Sequence, residues 1–167
     1  MNMMFKSVVA SAALLLAACA ATPPTAPSKV VVIPTGWDAA YDKYYLAPAI
    51  RVGDTVILSG VPAARGDTYD EKVRGMFERV KSVLAAAGCD MSDVVEIDTY
   101  HSTPKDTAAF RQEFDEFLKI HHEYFPDRYP AWTAIGTTAL LANGAVLEMR
   151  VTAVAGSGRK TEIHRQS

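Results

Sequence analysis

The chain has 167 residues, 49% of them hydrophobic, with 17 basic and 19 acidic side chains and a net charge of -2. That length holds one domain with an appendage. The near-neutral charge gives no basic stripe of the kind that holds nucleic acid, and two cysteines cannot build a disulfide-dense scaffold.

The N-terminal stretch reads as a leader. Lys6 precedes a small, apolar run from Ser7 to Ala18, with Leu14, Leu15 and Leu16 at its centre. The run is about a dozen residues long, short of the ~20 that a membrane-spanning helix needs, and it has the shape of a secretory h-region. It ends in Leu16-Ala17-Ala18-Cys19, which resembles a bacterial lipobox. That resemblance implies cleavage before Cys19, acylation of Cys19 and a membrane anchor, since each buried CH₂ contributes about 0.8 kcal/mol. Ala20 follows the cysteine; by likeness to proteobacterial sorting this implies an outer-membrane protein facing the periplasm. Cys89 is then left alone as a small, partly buried residue after a helix end. The expected division is a signal peptide over 1–18, an acylated cysteine and Ala/Thr/Pro tether over 19–28, one domain over 29–156 and a polar tail over 157–167.

In chain order, Val30 to Ile33 is a β-branched run and a first strand, and Ala49 to Arg51 a short second one. Val52-Gly53-Asp54 turns the chain into a strand from Thr55 to Gly60. Tyr69 to Ala87 is an amphipathic helix, with Val73, Met76, Phe77, Val80, Val83 and Leu84 on one stripe and Gly88 in the place of a C-terminal cap. Val94 to Tyr100 alternates in part and reads as a half-buried strand. Thr107 to Tyr124 is a second helix presenting Phe110, Phe114, Phe117, Leu118 and His121, ended by Pro126. Pro130 to Leu140 and Ala145 to Val154 read as strands joined in a hairpin by Asn143-Gly144. The expected domain is α+β, with a mixed sheet and two helices on one face. Apolar residues at both parities of the last strand, Val146 and Val154 beside Leu147, Met149, Val151 and Ala153, predict that a second copy covers the other face.

Four segments together resemble the Rid (YjgF/YER057c) family, whose members are often named endoribonuclease L-PSP. They are Ala49 to Gly60, Val83-Leu84-Ala85-Ala86-Ala87-Gly88, Ser92-Asp93-Val94-Val95, and Tyr129-Pro130-Ala131 paired with Leu147-Glu148-Met149. The resemblance implies a chorismate-mutase-like domain, a homotrimer whose sheets form a central barrel, and small-molecule clefts between subunits. It also implies metal-free, cofactor-free chemistry, the hydrolysis of reactive enamines and imines to keto acids and ammonia. Ribonuclease activity fits poorly with a mildly acidic chain lacking a basic, aromatic groove.

Carried over residue by residue, Glu148 stands where the family places a cleft glutamate able to orient or activate water. Gly60 stands where the backbone approaches the ligand. Tyr45 stands one residue from the position of a cleft tyrosine, which strict spacing puts at Leu46. The family's carboxylate-clamping arginine is absent: Pro130-Ala131 is followed by Trp132, which offers an N–H and an apolar face but no charge. Trp132 is therefore expected to line the ligand cleft by shape. The resulting expectation is a lipid-anchored small-molecule-binding protein with imine deaminase activity as the alternative. The adjacent His121-His122 point about 100° apart on a helix and lack metal-site spacing. His101, near Ser102 and Asp106, lacks the Gly-x-Ser-x-Gly elbow of a hydrolase triad.

Overall fold

The computed structural model describes residues 26–166; the leader and Cys19 lie outside the described residues. The elements are β1 (Lys29–Val32), α1 (Asp38–Asp42), β2 (Ala49–Val52), β3 (Thr55–Pro62), α2 (Tyr69–Ala86), β4 (Val94–His101), α3 (Thr107–Tyr124), β5 (Ala131–Gly136) and β6 (Leu147–Val154). They form one six-stranded mixed sheet in the order β1-β2-β3-β6-β4-β5. Only the β4–β5 pair is parallel, because α3 carries the chain back across the sheet between them. The domain is α+β, with both long helices on one face of the mixed sheet.

Local chemistry sets the helix bounds. Thr68 and Glu71 close a capping box at the start of α2, each side chain accepting from the other's backbone N–H. Its end is a Schellman turn: Gly88 sits at φ 79°, the Cys89 N–H donates to the Leu84 carbonyl, and the Gly88 N–H to that of Ala85. Asp106 caps α3 by accepting from the Ala109 N–H at 2.8 Å. All six stripe residues of α2 are buried, against Val56, Leu58 and Val61 of β3 and Leu147, Met149, Val151 and Ala153 of β6. α3 buries Phe117, Ile120 and His121, while Leu118 stays on the surface side.

Three expectations need correction. Asn143-Gly144 does not make a hairpin: β4 lies between β5 and β6 and pairs with both. Gly144 does turn, at φ 72°, but within a loop from 137 to 146 that steps over β4. A dipeptide can specify a turn without specifying the strand that follows as its partner. The first of these strands also stops at Gly136 instead of Leu140. The outward face of β6 is Glu148, Arg150, Thr152 and Val154, mostly polar. The apolar residues of the open face lie instead on β2 and β3, where Val52 and Ile57 are exposed. The helix α1 has no counterpart in the sequence reading, since its five residues are too few for a period to show.

Candidate functional site

The sheet register builds a notch at one end of β3. Leu58 pairs with Val151 and Val61 with Met149, so Ser59 and Gly60 together face Arg150 as a β-bulge. The bulge is tied down from behind. The Ser59 N–H donates to the Pro48 carbonyl at 3.0 Å, and its hydroxyl to the Ala47 carbonyl at 2.8 Å. The Glu148 side chain lies over the bared Gly60. A Cβ on residue 60 would fall 2.6 Å from Glu148 Cδ and overlap a carboxylate oxygen. Glycine leaves the Glu148 side chain in that place, and any larger residue would push it aside.

Glu148 is half-buried on the open face, directly opposite Tyr100 of β4. It has no hydrogen bond or ion pair to another described residue. Burial pushes its carboxyl above the ordinary glutamate range, with no compensating charge. The neighbouring polar groups on this face have partners: Arg150 pairs with Asp98 at 3.3 Å, and the Thr152 hydroxyl donates to Glu96 at 3.2 Å. A carboxyl in this condition can hold a proton closer to neutrality and exchange it with a bound molecule or water.

Trp132 does not share this notch within one chain. It pairs with Ile97, a helix-facing residue, so its ring points under α3. There it stacks on His121 at 4.8 Å with planes 10° apart, and on Phe114 at 4.8 Å. Its Nε1–H donates to Thr99 Oγ1 at 3.0 Å. Thr99 also meets His101 Nε2 at 3.0 Å, and His101 Nδ1 meets Glu113 Oε1 at 2.8 Å. Thr103 closes the far end by donating to the other Glu113 oxygen. The hydroxyl–imidazole–carboxylate order matches a catalytic triad in connectivity. Thr99 and His101 are fully buried, however, so no substrate reaches them. The network satisfies buried polar groups and holds Trp132 in place.

The outer edge of Trp132 helps line a shallow hollow of about 350 Å³ with Leu118, His121, His122, Tyr129 and Pro130. His121 is nearly buried, its Nε2 has no partner, and burial together with His122 pushes its pKa down to about 4. Tyr45 stands at the same end of the sheet as Gly60, 91% exposed and in the left-handed region at φ 56°. A bulky residue there is strained. Among the described residues no cluster of three or more His, Cys, Asp or Glu could hold a metal ion. Sequence reasoning missed Tyr100 and Arg150 as the notch's surroundings. The partial alternation of Val94 to Tyr100 was the signal for it, since Tyr100 shares the parity of Glu96 and Asp98.

The family model for endoribonuclease L-PSP matches residues 39–155. The chain belongs to this family. It is 30% identical over 131 residues to the RutC family protein YjgH of Escherichia coli, covering 75% of this chain and 94% of that protein. It is 29% identical over 108 residues to a 2-iminobutanoate/2-iminopropanoate deaminase of Dermatophagoides farinae, covering 59% of this chain and 77% of that protein. The solved structure of YjgH superposes with a TM-score of 0.65 at 30% identity, covering 75% and 95% of the two chains. Rv2704 of Mycobacterium tuberculosis, a member of the YjgF/YER057c/UK114 family, gives 0.63 at 25% identity, covering 76% and 99%. The Rid/YjgF resemblance read from the sequence is thereby a family membership.

Proposed function

We propose that this protein binds a small molecule at the Glu148–Gly60 notch, in a cleft completed by a second copy within a homotrimer. The observation that carries this reading is the unpartnered, half-buried carboxylate lying so close over Gly60 that a Cβ there would displace it. Sharing of the cleft is supported by the faces of the sheet. Trp132 and Glu148 lie on opposite faces of one chain, and β5 is an edge strand whose half-buried Trp132 borders an open hollow. A cleft that uses both must draw them from two chains.

Imine hydrolysis is the second reading, favoured by the raised carboxyl of Glu148 and by the activity in the name of the mite relative. Glu148 takes a proton as water oxygen bonds to the carbon of a protonated imine, giving a carbinolamine. It returns that proton to nitrogen. The C–N bond then breaks and releases ammonia as Glu148 takes the hydroxyl proton, and ammonia takes up that proton, so the products are a carbonyl compound and ammonium. General acid–base help of this kind accelerates by roughly 10² to 10⁴.

The leader implies that the mature chain hangs from lipid on Cys19, at the outer membrane and facing the periplasm. Pro27 packs beside the Gly53 turn, at the opposite end of β3 from Gly60. A tether entering there leaves the notch roughly 20 Å away along the strand. Native mass spectrometry tests the binding reading. A trimer carrying a small molecule that Glu148→Gln fails to retain is expected. A monomer at micromolar concentration defeats the shared cleft.

A further inference from the structure

We infer that the notch selects ligands that carry a positive charge and no carboxylate, such as a protonated imine or amine. The inference rests on the binding reading above and names its ligand class.

The ionisable groups around the notch decide the sign. On the open face of β4 and β6 stand three carboxylates, Glu148, Asp98 and Glu96, and one guanidinium, Arg150. Arg150 is committed to Asp98 at 3.3 Å, so it neutralises the acid beside it and leaves the half-buried Glu148 and the exposed Glu96 without a cation, of which Glu96 has a threonine hydroxyl and Glu148 has no partner. Glu148 lies two residues from Arg150 on the same strand face, roughly 7 Å along the strand. Tyr100, directly opposite, supplies a ring and a hydroxyl but no cation.

Two basic groups of the helix side are already engaged. Arg79 donates to the Pro62 carbonyl at 3.3 Å and lies over the Trp37 ring at 4.7 Å. His101 is fully enclosed with Glu113. Trp132 spends its one donor on Thr99 and can supply no charge from any copy. An anionic ligand placed against Glu148 therefore meets a like charge in a partly desolvated position. A cation there supplies the partner that the carboxylate lacks. The Tyr100 ring beside Glu148 adds an aromatic face suited to a cation.

Isothermal titration of the full-length protein with cyclopentylammonium and with pyruvate tests this, the first a cation without a carboxylate and the second a carboxylate without a cation. The cation is expected to bind at least ten-fold more tightly than pyruvate, and Glu148→Gln to weaken it at least ten-fold with an unchanged melting profile. Gly60→Ala, which pushes the carboxylate aside without removing it, is expected to weaken the cation in the same sense. Pyruvate binding as tightly as the cation, with both lost in Glu148→Gln, overturns the ligand class and leaves the binding reading standing. Cation binding untouched by both substitutions, or no binding of either probe, overturns the notch as the site along with the class assigned to it.

Discussion

The two faces of the sheet follow opposite rules, although the same strands supply both. On the helix face, β6 contributes Leu147, Met149, Val151 and Ala153, all buried, and among the described residues every fully buried side-chain polar atom bar one finds a partner. Even Trp132, Thr99, His101 and Glu113 are spent on one another. On the open face the same strand contributes Glu148, unpartnered over Gly60, beside charges that pair locally. A period of two separates the residues that hold the domain together from those able to meet a ligand. Substitutions on the first face should therefore read out as stability, and on the second as binding.

The largest expected effect is Phe77→Ala. Phe77 is fully buried and stacks on Tyr124 at 4.3 Å, against Phe117 at 5.8 Å. Its truncation should cost about 3–5 kcal/mol in urea denaturation. A cost near zero would show that the aromatic layer is not packed as described.

His121 makes the helix face pH-sensitive. Its imidazole sits among Phe77, Phe117, Phe125 and Trp132 and is pushed down to about 4, against an ordinary 6.5. Between those values the unfolded chain takes up a proton that the folded chain refuses. Stability is full above pH 6.5 and declines as pH falls toward 4. His121→Phe should flatten that part of the profile, measured by denaturation from pH 7 to pH 4. An unchanged slope would assign it to other groups.

The smallest stability effect with the sharpest functional reading is Gly60→Ala. The new Cβ meets the far end of a flexible side chain, so Glu148 rotates away at about 0.5–1.5 kcal/mol. Thermal unfolding should move little while ligand retention is lost. Loss of both together would place Gly60 with the core instead of the notch.

Much of this comparison was legible in the chain. The stripe of α2 emerged buried at all six positions, and α3 spans the residues that its pattern and flanking prolines delimit. These are local periods, written within one element. Glu148 and Gly60 were legible through the family resemblance, and the register brings them into contact. The facing of Trp132 was not legible. Residue type shows that it lacks a charge, but which way it points depends on β5 joining β4 in parallel with Trp132 against Ile97. The same pairing undid the hairpin expected at Asn143-Gly144. Tyr100 and Arg150 lie in plain alternation, yet only the register sets them beside Glu148.

By itself, then, the sequence determined the family, the α+β composition, the extents of the two long helices and the uncharged residue that follows Pro130-Ala131. Each of these is carried by residues near one another along the chain. Tertiary structure alone decided the strand order, the enclosure of the His101 network, the separation of Trp132 from Glu148, and the carboxylate left without a partner. These depend on which strands meet and in what register, and that choice follows from how the whole apolar surface of two helices and six strands is buried at once.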